Sequence, residues 1–403
     1  MIVDEYLELT KKYKNEYGDK TLVLMQVGLF FEAYGIKDNE NKIIGSDIEF
    51  FAEINDMTIT QKANVFVGKK KVVMAGFGLP QLEKYVKKMQ DTGYTIVVYT
   101  QDIQGKNTSR SLYAIFSPGT YFSNDSQELS NNTTCIWLHT SKNLLSTKSK
   151  INITVGISNI DIYTGKVSVF EFSKPYLHNP STFDELERYI SIYNPSETIL
   201  ISNLSEAKIN DIINFASINS NKIHIITTEN NEKDKLIKKA EKQIYQKEVI
   251  EKFYPINNSN IILNNLQNYC IAIQSFVFLL DFIYKHNPNL VKKLNEPIIE
   301  NLTERLLLGN HSLKQLNIIS DNRSKGKNSC LSNLLNNCIT PMGKREFNYN
   351  LLNPITNIKI LNESYNITEH LLENNWVQYR EGLSKIKDME KLRRKLILKK
   401  ISP

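Results

Sequence analysis

The sequence predicts an α/β protein whose last third turns helical, and three observations carry that prediction. Short apolar runs rich in β-branched residues, such as Thr21–Val27 and Thr95–Thr100, alternate with stretches whose apolar residues recur at helical spacing. A second strand-and-helix alternation starts after the Asn/Ser-rich stretch 124–132. Beyond Pro255 the strand signals give way to helical ones. The expected divisions are a mixed α/β domain at 1–122, a linker at 123–133, a second α/β domain at 134–257 and a helical region at 258–403.

A chain of 403 residues holds two or three domains with their own cores. With 41% hydrophobic and 23% charged residues it falls outside the disordered class. The formal charge of +7 permits nucleic-acid binding without demanding it. Cys135, Cys270, Cys330 and Cys338 form no Cys-x-x-Cys pair, and the six histidines form no His-Glu-x-x-His helix. Reduced thiols, no metal site and an intracellular, reducing compartment are therefore expected. The start, Met1-Ile2-Val3-Asp4-Glu5, lacks the basic region and apolar core of a signal peptide. The longest apolar stretch, Ile271 to Tyr284, is interrupted by Gln274 and Asp281 and is too short to span a bilayer, so no membrane partner is expected.

In chain order, Tyr6, Leu9, Tyr13 and Tyr17 form the apolar stripe of an amphipathic helix stopped by Gly18. The strand Thr21–Val27 follows and runs into Gly28-Leu29-Phe30-Phe31-Glu32. A glycine there allows close approach of another molecule to the backbone. In an extended segment Phe30 and Glu32 share one face while Phe31 points to the other, inward. An apolar wedge beside a hydrogen-bonding group is the equipment needed to open a base step and test the loosened base. The competing reading is a core phenylalanine beside a solvated carboxylate. Residues 37–71 read as a polar, variable region with short strand-like runs such as Val65-Phe66-Val67. Lys69, Lys70 and Lys71 at its end are either a solvated turn or phosphate contacts. Then come a strand at Val72–Ala75, a helix at Gln81–Thr92 capped by Gly93, the strand Thr95–Thr100, and Arg110 just ahead of a closing strand, Leu112–Phe116. Arg110 is a candidate phosphate or groove contact by residue type.

The motif Gly28-Leu29-Phe30-Phe31-Glu32-Ala33-Tyr34 resembles the Gly-Asp-Phe-Tyr-Glu-Leu-Phe motif of the MutS DNA mismatch-repair family. In that family the Phe-x-Glu intercalates at, and contacts, the mispaired base; Phe30 and Glu32 fall on this pair. Leu29 replaces the usual Asp and Phe31 the usual Tyr. Two further blocks follow in the family's order. Met74-Ala75-Gly76-Phe77-Gly78-Leu79-Pro80, a helix, and Gly93 through Gln101 are similar to its Met-Ala-Gly, helix, glycine and strand-to-Gln segment. Ser117-Pro118-Gly119-Thr120 resembles the Thr-Pro-Gly-Thr that ends its mismatch-recognition domain.

The second domain should begin with strands at Thr134–His139, Thr154–Ile162 and Val167–Phe172, the last two joined by the turn Tyr163-Thr164-Gly165-Lys166. A helix at Phe183–Tyr193, a break at Pro195 and strands at Thr198–Ile201 and Ile223–Thr227 continue it. Asp161, in Asn-Ile-Asp-Ile-Tyr-Thr-Gly, resembles both the family's connector motif Leu-Asp-Ile-Ser-Thr-Gly and the first carboxylate strand of RNase H-like nucleases. Two-metal nuclease chemistry needs several convergent carboxylates, and only Asp161 and Glu197 present themselves. The resemblance implies an RNase H-like connector that makes partner contacts without being a nuclease.

Downstream, a charged helix is expected at Lys233–Tyr245, a buried one at Leu263–Tyr284 and a basic one at Leu383–Lys400. The block Thr340-Pro341-Met342-Gly343-Lys344-Arg345, with Ser312–Leu316 before it, is similar to the start of the MutS lever domain, and Asp388 to Leu392 to its Asp-Ile-Glu-Arg-Leu segment. Ser324 to Ser329 lacks the glycine spacing and preceding strand of a phosphate loop. The resemblance therefore implies the N-terminal part of a longer protein, with no ATPase, ATP or Mg²⁺ in this chain; those belong to a C-terminal module absent here. It implies binding of mismatched double-stranded DNA by wedge insertion and kinking, homodimers in the full-length form and repair partners on the connector, in cytoplasm, nucleoid, organelle or viral replication site. An RNase H-like metal-dependent nuclease and a non-catalytic protein-interaction module are the alternatives.

Overall fold

The computed structural model describes residues 2–38, 40–68, 70–104, 107–123, 128–142, 151–227, 233–300, 305–306, 311–319, 326–374 and 376–401. They fall into two compact units, residues 1–123 with 285–288, and 124–284 with 289–403.

The first unit is a mixed sheet with helices on it. Helix α1 (Ile2–Tyr17) buries Val3, Tyr6, Thr10 and Tyr13 and ends before Gly18; of the expected stripe Tyr6 and Tyr13 are buried, while Leu9 and Tyr17 are half-buried against the same core. Strands β1 (Thr21–Val27) and β2 (Phe30–Lys37) form an antiparallel hairpin. A short β3 (Ile43–Ile44), helix α2 (Ile48–Ile54) and strand β4 (Thr60–Val67) follow; β4 takes in the strand-like run Val65-Phe66-Val67, while β3 and α2 lie where the sequence suggested a polar, variable stretch. Seven residues are too few for helical periodicity to stand out, yet Ile48, Phe51 and Ala52 fall on one face and are buried. Strand β5 (Lys70–Gly78) runs three residues past its expected end at Ala75, because the backbones of Gly76, Phe77 and Gly78 continue to pair with β2. Helix α3 (Leu82–Asp91) and strands β6 (Thr95–Gln104) and β7 (Asn107–Phe116) complete the unit. The sheet order is β4-β5-β2-β1-β6-β7, with β3 on β2; β1 and β6 are parallel and the other pairs antiparallel.

In the second unit β8 (Asn132–Lys142), β9 (Ile151–Asp161) and β10 (Val167–Pro175) are an antiparallel meander. Helix α4 (Asp184–Tyr193) leads to β11 (Glu197–Ser202), and α5 (Glu206–Phe215) to β12 (Lys222–Thr227). These two strands join β8 in parallel. With β13 (Ile298–Ile299) on the far edge the order is β12-β11-β8-β9-β10-β13, and the first five strands in sequence have the arrangement of an RNase H-like sheet.

The helical region is more broken than its pattern suggests. The expected 233–245 helix divides into α6 (Lys233–Ala240) and α7 (Gln243–Phe253), where Lys242 turns to extended backbone and the Gln246 amide bonds the Ala240 carbonyl. The 263–284 helix divides into α8 (Ile256–Leu266) and α9 (Cys270–His286). Glu171 of β10 accepts from the Ile271 and Ala272 amides at 2.9 and 2.8 Å, satisfying two free donors at the start of α9. The short α10 (Ser312–Gln315) and α11 (Leu331–Leu335) precede α12 (Pro341–Leu352). There the Thr340 hydroxyl accepts from the Gly343 amide and Pro341 takes the first helical position, so the Thr-Pro-Met-Gly block is a helix start. After α13 (Ile358–Glu373), the expected 383–400 helix resolves into the end of α14 (Trp376–Ser384) and α15 (Met389–Ile397), the latter capped by Asp388, which accepts from the Lys391 amide. Arg345 of α12 grips Asp388 with both terminal nitrogens (2.8 and 2.7 Å) and also Glu390, which pairs with Lys166. The fully buried Arg394 donates to the carbonyls of Leu290 and Lys292.

Candidate nucleic-acid interface

The hairpin of β1 and β2 closes on the pair Val27 and Phe30, leaving Gly28 and Leu29 as a two-residue turn. Gly28 has φ +59° while Leu29 keeps a negative φ, the pattern of a type II′ turn, which takes glycine first. A Cβ on Gly28 would meet nothing within 4 Å. The glycine is required by the turn, whose first position has positive φ, and the space around it is open.

Leu29 is 75% exposed and Phe30 54% exposed, side by side at the tip. The next residues sink inward. Phe31, on the opposite face, packs on Phe77, whose ring also contacts Phe51 of α2 and Tyr85 of α3. Glu32 and Tyr34 share Phe30's face by strand alternation, and the Tyr34 ring packs edge-on against Tyr6 of α1 at 5.2 Å. Both faces of β2 are thus anchored, and the tip stands on a fixed base.

The turn is braced from the neighbouring strand. The Gly28 amide donates to Gln101 Oε1 at 2.9 Å, the Gln101 amide to Gln26 Oε1 at 3.1 Å, and the Gln26 amide group to the Gly28 carbonyl at 3.0 Å. Arg110, opposite Gln101 on β7, donates from Nε to the Gln26 carbonyl at 3.2 Å. Arg110 therefore lies beside the tip. Lys70 and Lys71 do not: they begin β5, whose far end pairs with Phe30, and eight residues of strand put about 26 Å between. Lys69 lies outside the described residues.

Glu32 is only 7% exposed and is not the solvated carboxylate of a strand end. Lys62 of β4 reaches Glu32 Oε2 at 2.8 Å and the Tyr34 hydroxyl at 2.9 Å, and that hydroxyl donates to the same Oε2. Burial, followed by the hydrogen bond to Glu32 and its negative charge, holds the Tyr34 phenol far above its usual range, so it is a donor at any ordinary pH. Opposite Phe30 and Glu32 on β5 stand Gly78 and Gly76, which carry no side chain. A Cβ on Gly76 would lie 2.7 Å from the Phe31 carbonyl and 3.2 Å from Glu32 Cγ, so that glycine makes room for the carboxylate. Sequence reasoning missed Lys62, Tyr34, Gln26 and Gln101. The one available signal was a glutamine, Gln26 or Gln101, near the end of each of two apolar runs.

The two carboxylates of the nuclease alternative are engaged elsewhere. Asp161 accepts from the Asn131 and Tyr163 amides at 2.9 and 3.0 Å and from the Thr164 hydroxyl at 2.6 Å, tying the end of β9 to its turn. Burial pushes its carboxyl above the usual range in spite of those donors. Glu197 is fully buried and bonded to His224 at 2.7 Å. Among the described residues no three His, Cys, Asp or Glu side chains are placed to share a metal ion, and no helix is long and apolar enough to cross a membrane. All four cysteines are free thiols.

The chain thus presents a mixed α/β unit with one exposed aromatic at a braced β-turn, followed by an RNase H-like sheet and capped helices. The family model of MutS domain I matches residues 2–125, and that of MutS domain III matches residues 311–403. The chain belongs to the MutS family. It is 28% identical over 420 residues to a mutS homolog of Acanthamoeba polyphaga mimivirus, an alignment covering 99% of this chain and 37% of that protein. It is 22% identical over 408 residues to the DNA mismatch repair protein MutS of Caldanaerobacter subterraneus subsp. tengcongensis, covering 100% and 41%. With the mitochondrial DNA mismatch repair protein mutS homolog of Sarcophyton glaucum it shares 26% identity over 455 residues, covering 97% and 42%. The chain spans about 40% of the length of these relatives.

Proposed function

We propose that this chain binds mismatched double-stranded DNA, with Phe30 as a wedge entering the base stack and Glu32 contacting the base it loosens. One observation carries the reading: Phe30 is half exposed at the end of a hairpin whose following residues are buried on both faces. A large ring held in water on a rigid support is what insertion requires. Unstacking a base step costs a few kcal/mol and less at a mismatch, so a wedge of fixed shape selects the step that yields. Kinking adds indirect readout of deformability, and Arg110, beside the tip, is a cation placed to meet a phosphate. MutS domain I over residues 2–125 and relatives described as mismatch repair proteins support the assignment. Nucleotide and Mg²⁺ chemistry, homodimer formation and contacts to repair proteins are proposals that follow from the family resemblance and are not needed for this binding step.

The test places 2-aminopurine beside a mismatch and titrates the 403-residue chain into the duplex. Insertion of the ring unstacks the probe and raises its fluorescence, and Phe30→Ala abolishes that rise. Binding without any change in the probe would overturn the wedge.

A further inference from the structure

The basic turn of the helical region does not stand alone in solvent. Residues 326–329, its described part, join the end of α11 and the start of α12 in walling an open cleft of about 510 Å³, lined by Gly326, Lys327, Asn333, Asn336, Asn337 and Lys344. The walls are pinned. Gly326 turns the chain at φ +113°, the Ser329 hydroxyl donates to the Gly326 carbonyl at 2.7 Å, and the Asn333 amide group of α11 donates to Ser329 Oγ at 2.8 Å. Asn336 ties the end of α11 to α12: its Nδ2 donates to the Lys344 carbonyl at 3.1 Å and to Asn348 Oδ1 at 2.9 Å, while its Oδ1 accepts from the Cys338 amide at 3.3 Å. The cations of the cleft have no such ties. Among the described residues neither the Lys327 nor the Lys344 ammonium has a hydrogen-bond or ion-pair partner, and no acidic side chain lines the cleft. Arg380 of α14 reaches the rim, where its guanidinium donates to the Asn337 carbonyl at 2.9 Å, and it forms no ion pair among the described residues. Arg345, next in sequence to Lys344, is by contrast held by both Asp388 and Glu390.

We propose that this cleft is a phosphate-binding site, in which Lys327 from the turn and Lys344 from α12 hold the oxygens of a phosphate or short phosphate chain and Arg380 meets it from the rim. Two like charges facing one polar cleft with no carboxylate between them repel, and an anion placed there turns that repulsion into attraction. Each ammonium acts on phosphate as a point charge with three donors. Among the described residues no aromatic lines the cleft, so a base finds no ring to stack on and the site takes the phosphate whatever carries it. The turn is not a phosphate loop, whose backbone amides cradle the anion ahead of a helix; its part is to deliver one of the cations. A free oligophosphate and a nucleic-acid backbone both present this chemistry. Neither Phe30 nor Glu32 enters the inference, which stands or falls apart from the wedge.

Isothermal titration calorimetry with inorganic tripolyphosphate, without magnesium, tests it on the 403-residue chain. One site per chain is expected. Lys327→Gln and Lys344→Gln should each weaken binding about tenfold, the worth of a hydrogen bond between charged groups, and Lys344→Arg should keep it within about threefold. The double variant should bind too weakly to detect. Lys208→Gln, at an exposed position of α5, should leave binding unchanged, which separates a site from diffuse attraction to a chain of formal charge +7. If Lys344→Gln misfolds in a thermal melt, Lys327→Glu in the exposed turn reads the same loss. Anisotropy with a labelled homoduplex then identifies the source. For a backbone ligand, tripolyphosphate displaces the duplex and the double variant lowers the slope of log affinity against log salt by about 2. For a free oligophosphate, the homoduplex affinity of the double variant matches that of the unmodified chain. No binding of tripolyphosphate, or equal binding by the unmodified chain and the folded double variant, overturns the site.

Discussion

Replacing Phe30 by Ala tests the wedge on an energy scale that the structure sets. At 54% exposure roughly 110 Å² of the residue remains in water for a base step to cover. At about 25 cal/mol per Å² that surface is worth about 2.5–3 kcal/mol on full burial. The sum is close to the cost of unstacking an intact step, so at a paired site insertion about breaks even. At a mismatch the unstacking cost is smaller and most of the gain survives. Phe30→Ala should therefore weaken binding to a mismatched duplex by about 2 kcal/mol, roughly thirtyfold, and leave homoduplex affinity within about threefold. Fluorescence anisotropy with labelled duplexes at several salt concentrations measures both. The fold should barely register the change, because the half-exposed ring contributes little to the core and surface substitutions cost about 0.5 kcal/mol. A parallel fall in both affinities, or a fall in neither, would refute the reasoning.

Three further outcomes follow from the packing. Gly76→Ala forces a Cβ to within 2.7 Å of the Phe31 carbonyl and should cost about 1–3 kcal/mol in denaturant unfolding, with mismatch preference reduced because Glu32 must shift. Asp388 and Glu390 are pushed up by burial, but Arg345, with Lys166 on Glu390, outweighs this and leaves both carboxyls below 3.8 and 4.5, their ordinary values. With folded values below unfolded ones, the unfolded chain binds more protons as pH falls, so this stability is present above about pH 4.5 and lost through the lower folded values. Acid denaturation followed by circular dichroism should show that loss in the unmodified chain and a flatter profile in Arg345→Met, which also costs about 3 kcal/mol at neutral pH. Asp161→Asn should destabilise the chain by about 1–3 kcal/mol while leaving DNA binding intact, since it weakens a buried cap. Magnesium-dependent cleavage lost in that variant would instead revive the nuclease alternative.

What the sequence disclosed and what it withheld divide along the range of the interaction. The opposite fates of Phe30 and Phe31 were legible because strand alternation is a local rule with a period of two. Most strands and helices of the two sheets were legible from similarly local periodicities, down to the glycine that ends α1, whereas β3 and α2 were not. Gly28 was correctly located, but its service in the turn was not legible, since only its positive φ reveals it. Lys62 was invisible because it lies 30 residues from Glu32 and reaches it from another strand of the sheet. The breaks between α6 and α7 and between α14 and α15 were hidden by composition, because apolar and charged residues continue across them and the caps depend on single side chains such as Asp388. Asp161 stood out as a carboxylate in a strand-end motif, but its work is to satisfy the amide of Tyr163, two residues on, and that of Asn131, which only tertiary structure brings to it.

The placement of charge in the first unit bears on how selection and grip are divided. The tip carries two apolar side chains, Leu29 and Phe30, and the nearby carboxylate has its charge met by Lys62 inside the fold. Of the cations singled out in the sequence and described in the structure, only Arg110 stands beside the turn, and Lys70 and Lys71 lie at the other end of β5. A tip with so little net charge adds little to the salt-dependent attraction that holds any duplex, which scales with the number of phosphates neutralised. What it adds depends on whether a base step opens. Mismatch preference, the ratio of two affinities measured at one salt concentration, should therefore vary much less with ionic strength than either affinity alone, because the phosphate contacts cancel in the ratio while the insertion of Phe30 does not.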